Sequence, residues 1–182
     1  MEKFLIIKKF TPSVELPKGV CTPEPNSTLL PGAPRQRRTL TNFASLYSDG
    51  ACKGNGKKKS ISGAGAVLFD KDKEIIGEYR EFLGYGVTNN VAEYKALILG
   101  LKKAIEHGVT SIHAFVDSKL VCEQVKRNYK INKPHLKVLF EEVIKLKEQF
   151  KFFRIVSVLR KYNSHADRLA NEAVAIGHTK MN

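Results

Sequence analysis

The feature that most constrains the fold is a change of hydrophobic period near residue 90. From Ser45 to Tyr85 the chain carries three short runs, SLYSDGAC, GAGAVLFD and EIIGEYREFLGY. They are rich in β-formers and divided by glycine and lysine, the pattern of an antiparallel meander. From Asn90 the period lengthens: in TNNVAEYKALILGLKKAI, residues Tyr94, Leu97, Ile98, Leu101, Ala104 and Ile105 fall on one helical stripe. Then come a buried-type strand, SIHAFVD, a short helix, SKLVCEQVKRNY, and a longer helix, PHLKVLFEEVIKLKEQF, opened by Pro134. A strand, KFFRIVSVL, and a closing helix, SHADRLANEAVAIG, with Gly177 at its stop, complete the pattern. The order βββαβααβα predicts an α/β domain in which helices pack against a mixed sheet.

Residues 1–44 differ in composition. Six of the seven prolines fall there, in stretches such as TPEPNSTLLPGAPRQRR that show no sustained period. They read as a basic, Pro-rich extension or linker ahead of a domain at 45–177, with 178–182 as a short tail. The segment PRQRR suits phosphate contact or a nuclear address, and MEKFLIIKKF an added strand, but neither assigns a function. Lys and Arg number 31 against 18 acidic residues, a net charge of +13, of which +9 lies beyond residue 44. A surplus spread through the globular part favours a polyanionic partner, nucleic acid first. Cys21, Cys52 and Cys122 are odd in number and widely spaced, which fits a reducing compartment and excludes a paired-cysteine zinc or redox site. The longest apolar run near the start, FLII, is too short for a signal-peptide core or a membrane span. The expectation is a soluble intracellular protein, cytoplasmic or nuclear.

Glu93 sits on the apolar stripe of its helix, where an uncompensated carboxylate is costly. A capping box with Asn90 as N-cap would explain it, and Ser164 with Asp167 offers the same pattern. Asp117, at the end of the strand IHAFVD, has an N-cap reading too. Asp49 follows the alternation of LYSDGA, and the small residues Gly50 and Ala51 leave room for a close approach to the backbone. All four acids lie at or beside the end of an element. If they converge, their mutual repulsion calls for a cation, and hard oxygen donors suit Mg²⁺ or Mn²⁺.

The segments YSDGACKGN, TNNVAEYKAL, FVDSKLVCEQV and NSHADRLANEA, in this order, resemble the type 1 ribonuclease H family, and most closely its compact archaeal and plant-like branch. The likeness runs from about Leu46 to Ile176. It implies a ribonuclease H-like fold with a five-stranded mixed sheet flanked by helices. It also implies an endoribonuclease that hydrolyses the RNA strand of RNA/DNA hybrids, leaving 5′-phosphate and 3′-hydroxyl ends. Asp49, Glu93, Asp117 and Asp167 would bind two Mg²⁺ ions, with Mn²⁺ as a substitute, and carry two-metal catalysis. Substrate contacts would come from Cys52, Asn55, Thr88, Asn89, Asn90, Ser118 and Lys119, some of them to 2′-hydroxyls across the minor groove. No obligate protein partner and no membrane are implied, and a monomer is expected.

Two departures bear on function. In the bacterial branch a loop histidine assists catalysis, but His165 lies only two residues before Asp167 and reads as a surface histidine. Residues 1–44 lack the aromatic pattern of a separate hybrid-binding domain, and GNGKKKS reads as a solvated basic loop. Two other functions remain open at this point: a non-catalytic hybrid or duplex RNA-binding module of the same fold, and a DNA-acting nuclease fold-mate.

Overall fold

A computed structural model describes residues 42–54 and 60–179. The expected linker as far as residue 41, with Cys21, lies outside the described residues, as do Asn55 and the rest of the basic loop and residues 180–182. Strands β1 (Phe43–Lys53), β2 (Ile61–Phe69) and β3 (Ile75–Tyr85) form the antiparallel meander. Strand β4 (Ser111–Val116) pairs parallel to β1, and β5 (Phe152–Ser157) parallel to β4, giving the order β3-β2-β1-β4-β5. The helices are α1 (Asn89–Glu106), α2 (Lys119–Val125), α3 (Pro134–Lys147) and α4 (Ser164–Thr179), and a 3-10 turn at Arg160–Tyr162 precedes α4. The element order and mixed sheet expected from the periodicities are those observed.

The sheet is covered unequally. Leu46, Leu68, Ile112 and Ile155 face a core shared with Tyr94, Leu97 and Leu101 of α1 and Val143 of α3. Within it the Tyr94 hydroxyl donates to Gln124 Oε1 (2.9 Å), so the phenol is buried without an unmet donor. On the other face α4 presents the buried side chains Ala166, Leu169, Ala170, Ala173 and Val174 to β1, β2 and β3, and does not extend over β4 and β5.

Two local expectations are corrected. Gly177 does not stop α4, which runs on to Thr179. A Cβ at Gly177 would run into the Phe82 ring, and the Gly177 carbonyl accepts from the Tyr85 hydroxyl (3.2 Å). The glycine therefore allows a close approach to β3, a tertiary demand that sequence alone presents as a breaker. Helix α1 is N-capped by Thr88 rather than Asn90, which lies inside the first turn. The carbonyl just before that cap, on Val87, accepts from Cys52 Sγ (3.2 Å), Ser60 Oγ (3.1 Å) and Ser62 Oγ (3.1 Å), so β1 and β2 fix where the helix begins.

Candidate metal centre and active site

Sheet register brings the first two acids together. Ser48 on β1 is paired with Val116 on β4, so Asp49 and Asp117 follow on adjacent parallel strands. Glu93 arrives from α1, whose first turn lies so close to β1 that a Cβ on Gly50 would collide with the backbone of Ala92 and Glu93. The Gly50 N–H donates to Glu93 Oε2 (3.2 Å). One carboxylate oxygen from each of Asp49, Glu93 and Asp117 lies within 4.8 Å of the others.

None of the capping explanations for these acids survives. Glu93 is turned to Gly50 on β1, not back to its own helix start. Helix α2 is capped by Ser118, whose Oγ accepts from the Val121 N–H (3.3 Å), leaving Asp117 outside the helix. The carboxylate of Asp167 is held by Arg160, through Nη2 and through Nε at 3.1 Å, rather than returned to Ser164. Asp167 stands beside the three-acid cluster rather than in it, close enough for its charge to act on Asp49.

The electrostatics of the cluster follow from burial without compensation. Asp49 and Glu93 are only 4% and 8% exposed. Burial, then the charges of Asp117 and Asp167, push Asp49 up to about 7. Burial, then the charges of Asp49 and Asp117, push Glu93 up to about 9, against the Gly50 N–H and the charge of Arg160. Asp117 Oδ1 is buried and has no hydrogen-bond partner. Three hard oxygen donors that repel one another, one of them an orphaned buried atom, fit a divalent cation, and among the described residues neither thiol nor imidazole joins them.

The residues expected at the substrate have other work in this geometry. Cys52 holds the Val87 carbonyl, Ser118 caps α2, and Thr88 occupies the N-cap of α1 without a side-chain bond. Asn89 and Asn90 open α1, Lys119 opens α2, and Asn55 lies outside the described residues. His165 does not face the cluster: its Nε2 meets Glu78 on β3, and Arg168 reaches the same Glu78 oxygen (2.9 Å), an arrangement that clamps α4 to the sheet.

Two contributors went unrecognised in the sequence. Asn163 is buried and its Nδ2 donates to the Ser48 carbonyl (2.9 Å), tying the start of α4 to β1 next to Asp49. Arg160 holds Asp167 and lowers the pKa of both Asp49 and Glu93. The only signal for Arg160 was a basic residue in the aperiodic stretch before the last motif. Arg160→Ala removes that charge, so both acids hold their protons to higher pH. Any metal-dependent activity is expected to be lower than wild type near neutral pH and to recover as pH rises. A pH–rate profile of the variant against the wild type measures this.

The reverse transcriptase-like family model matches residues 48–173. The chain is 38% identical over 130 residues to the bifunctional protein Rv2228c of Mycobacterium tuberculosis, a match covering 71% of this chain and 35% of that protein. It thus spans about a third of the length of that relative. The N-terminal RNase H domain of Rv2228c, solved as a fusion with maltose-binding protein, aligns with a TM-score of 0.71 at 34% identity, over 77% of this chain and 99% of that one. LC11-RNase H1, solved in complex with RNA/DNA hybrid, aligns with a TM-score of 0.68 at 30% identity, over 74% and 98%. The ribonuclease H of Clostridium botulinum is 31% identical over 147 residues, covering 71% of this chain and 93% of that enzyme. With its sheet order, its carboxylate cluster and near-complete coverage of a short relative in agreement, the chain belongs to the ribonuclease H family, in the group described as reverse transcriptase-like.

Proposed function

We propose that the protein is an endoribonuclease that hydrolyses the RNA strand of RNA/DNA hybrids, leaving 5′-phosphate and 3′-hydroxyl ends. The observation that carries this is the approach of Asp49, Glu93 and Asp117 within 4.8 Å of one another. These three, joined by Asp167, would hold two Mg²⁺ ions. Bound there, the ions supply positive charge for the scissile phosphate and lower the pKa of an attacking water. Without them the acids would repel the phosphate, which argues against a purely binding role for this site.

The chain's own residues position the parts. Arg160 keeps Asp167 turned to the flank of the cluster, and Asn163 anchors the helix that carries it. The Val87 carbonyl, gripped by Cys52, Ser60 and Ser62, fixes the approach to Thr88, Asn89 and Asn90. These three, with Ser118 and Lys119 across the cluster and Asn55 in the loop after β1, would meet sugars and phosphates, and contacts to 2′-hydroxyls would select the RNA strand. The relative solved with a hybrid, LC11-RNase H1, supports this substrate class.

The test is cleavage of an end-labelled RNA strand annealed to DNA, with Mg²⁺ or EDTA, beside all-RNA and all-DNA duplexes. Mg²⁺-dependent cutting of the hybrid RNA is expected. Equal cutting of the DNA duplex would move the protein to the DNA-acting fold-mates, and a hybrid bound but intact would make it a binding module. With a net charge of +13, hybrid binding should also be steep in salt. If about six phosphates are contacted, affinity falls on the order of 10³-fold between 50 and 200 mM. Anisotropy titrations across that range check it, and a flat response would exclude a phosphate-dominated interface.

A further inference from the structure

The half of the sheet that no described helix covers opposite the core carries an ordered set of aromatic side chains that the cluster does not use. Register places three rows across β1, β4 and β5: Phe43–Ser111–Phe152, Ser45–His113–Arg154 and Tyr47–Phe115–Val156. Tyr47 and Phe115 stack at 4.7 Å, and His113 meets Phe43 at 5.1 Å and Phe152 at 5.4 Å. At the upper end Tyr47, Phe69 and Tyr162 wall a cavity of about 330 Å³ that Lys73 also lines. Phe152 is 49% and Tyr162 63% exposed, and α4 covers neither β4 nor β5.

Cations predominate around these rings. Arg154 stands in the middle row, exposed and without an ion pair among the described residues. Lys161 lies over the Tyr162 ring at 4.8 Å. The one acid lining the cavity, Asp70, is spent in its own turn, where Oδ1 accepts from the N–H groups of Asp72 and Glu74 (2.9 Å each). Rings held by cross-strand contacts beside cations that form no ion pair among the described residues suit a flexible polyanion with flat faces. An apolar protein partner would leave Arg154 and Lys73 uncompensated.

We propose that this open face of β1, β4 and β5 is a platform for single-stranded nucleic acid, on which unpaired bases stack against Phe152 and Tyr162 while Arg154, Lys73 and Lys161 take the phosphates. The proposal deepens the nuclease reading, on which it rests: the strand it holds is the unpaired continuation of a hybrid. Stacking is sequence-tolerant because every base has a π face, so no base preference is built in.

The experiment uses the full chain and a labelled 12-mer of oligothymidine, with binding measured in EDTA so that no metal-dependent cutting intervenes, and with cleavage of a blunt-ended hybrid in Mg²⁺ followed in the same preparations. The paired variant Phe152→Ala/Tyr162→Ala is expected to bind oligothymidine at least about tenfold more weakly and to cleave the blunt hybrid at the wild-type rate. Phe152→Tyr/Tyr162→Phe, which keeps both rings, is expected to bind as the wild type does, and it stands as the control should the alanine variant fold poorly. Unchanged oligothymidine binding in the alanine variant overturns the platform. So does a wild-type protein that fails to bind the single strand, or a self-association in sedimentation that the alanine variant abolishes, which would make the face a contact between copies. A wild type that binds oligothymidine and leaves the hybrid intact would instead strike the nuclease reading, and with it the assignment of the held strand as the continuation of a hybrid, while the stacking platform itself would stand.

Discussion

Asp117→Asn is expected to lower cleavage of hybrid RNA by about 10³-fold or more. The change is near-isosteric and removes one charged oxygen donor from a three-acid cluster. Metal-borne charge stabilisation in the transition state is worth several kcal/mol, and about 4 kcal/mol corresponds to that factor in rate. The variant should fold as the wild type does, since Asp117 Oδ1 has no hydrogen-bond partner to lose and Ser118, not Asp117, caps α2. Single-turnover cleavage and a thermal melt on the same sample give the two numbers together. A variant retaining more than a tenth of the wild-type rate would show that Asp117 is not a metal ligand.

Glu93→Gln is expected to destroy activity and yet raise the stability of the metal-free protein at pH 8. Burial and the neighbouring acids push Glu93 up to about 9 in the folded state, against about 4.3 for an unperturbed glutamate. Between those values the native protein holds a proton that the unfolded chain has released. Stability in the absence of metal therefore falls as pH rises from about 4 to 9 and levels off beyond. Asp49, pushed up to about 7, adds to the slope over the lower part of that window. Glutamine does not titrate and still offers an oxygen to the Gly50 N–H. The gain at pH 8 is on the order of 3 kcal/mol, roughly 10 °C in Tm for a domain of this size, and it shrinks toward zero near pH 4. Added Mg²⁺ should stabilise the wild type more than the variant. Melts at pH 5 and pH 8 in EDTA decide it: a glutamine variant less stable than wild type at pH 8 would mean that the Glu93 carboxylate is compensated within the protein.

The strands and helices were legible because their signals are local. Alternation marked β1, β2 and β3, the apolar stripe marked α1, and Pro134 opened α3. Glu93 announced itself as a charge on the wrong side of a helix. What placed it was legible only in part: Gly50 signalled a close approach, but not that α1 would make it. The neighbourhood of Asp49 and Asp117 was not legible at all, because it rests on a parallel register that pairs residues 68 apart in sequence. The caps failed for a related reason. In Thr88-Asn89-Asn90 every residue can cap a helix, and the choice of Thr88 was made by side chains of β1 and β2 that grip the Val87 carbonyl. Gly177 looked like a terminator because its partners, Phe82 and Tyr85, sit more than 90 residues earlier. Arg160 had no periodic context at all.

The tie between Asn163 and the Ser48 carbonyl has a consequence for how the protein comes into being. Asp49, Glu93 and Asp117 all lie within the first 117 residues, whereas Asn163 immediately precedes the last described element and Asp167 lies in its first turn. A chain leaving the ribosome from its N-terminus thus exposes β1 to β4 and the three acids well before α4 emerges to cover β1–β3. Until then the Ser48 carbonyl lacks its Asn163 donor and Asp167 does not yet stand beside the cluster. A nascent chain that already carries Asp49, Glu93 and Asp117 still lacks α4, so any activity that needs that helix would be withheld until it has emerged and docked.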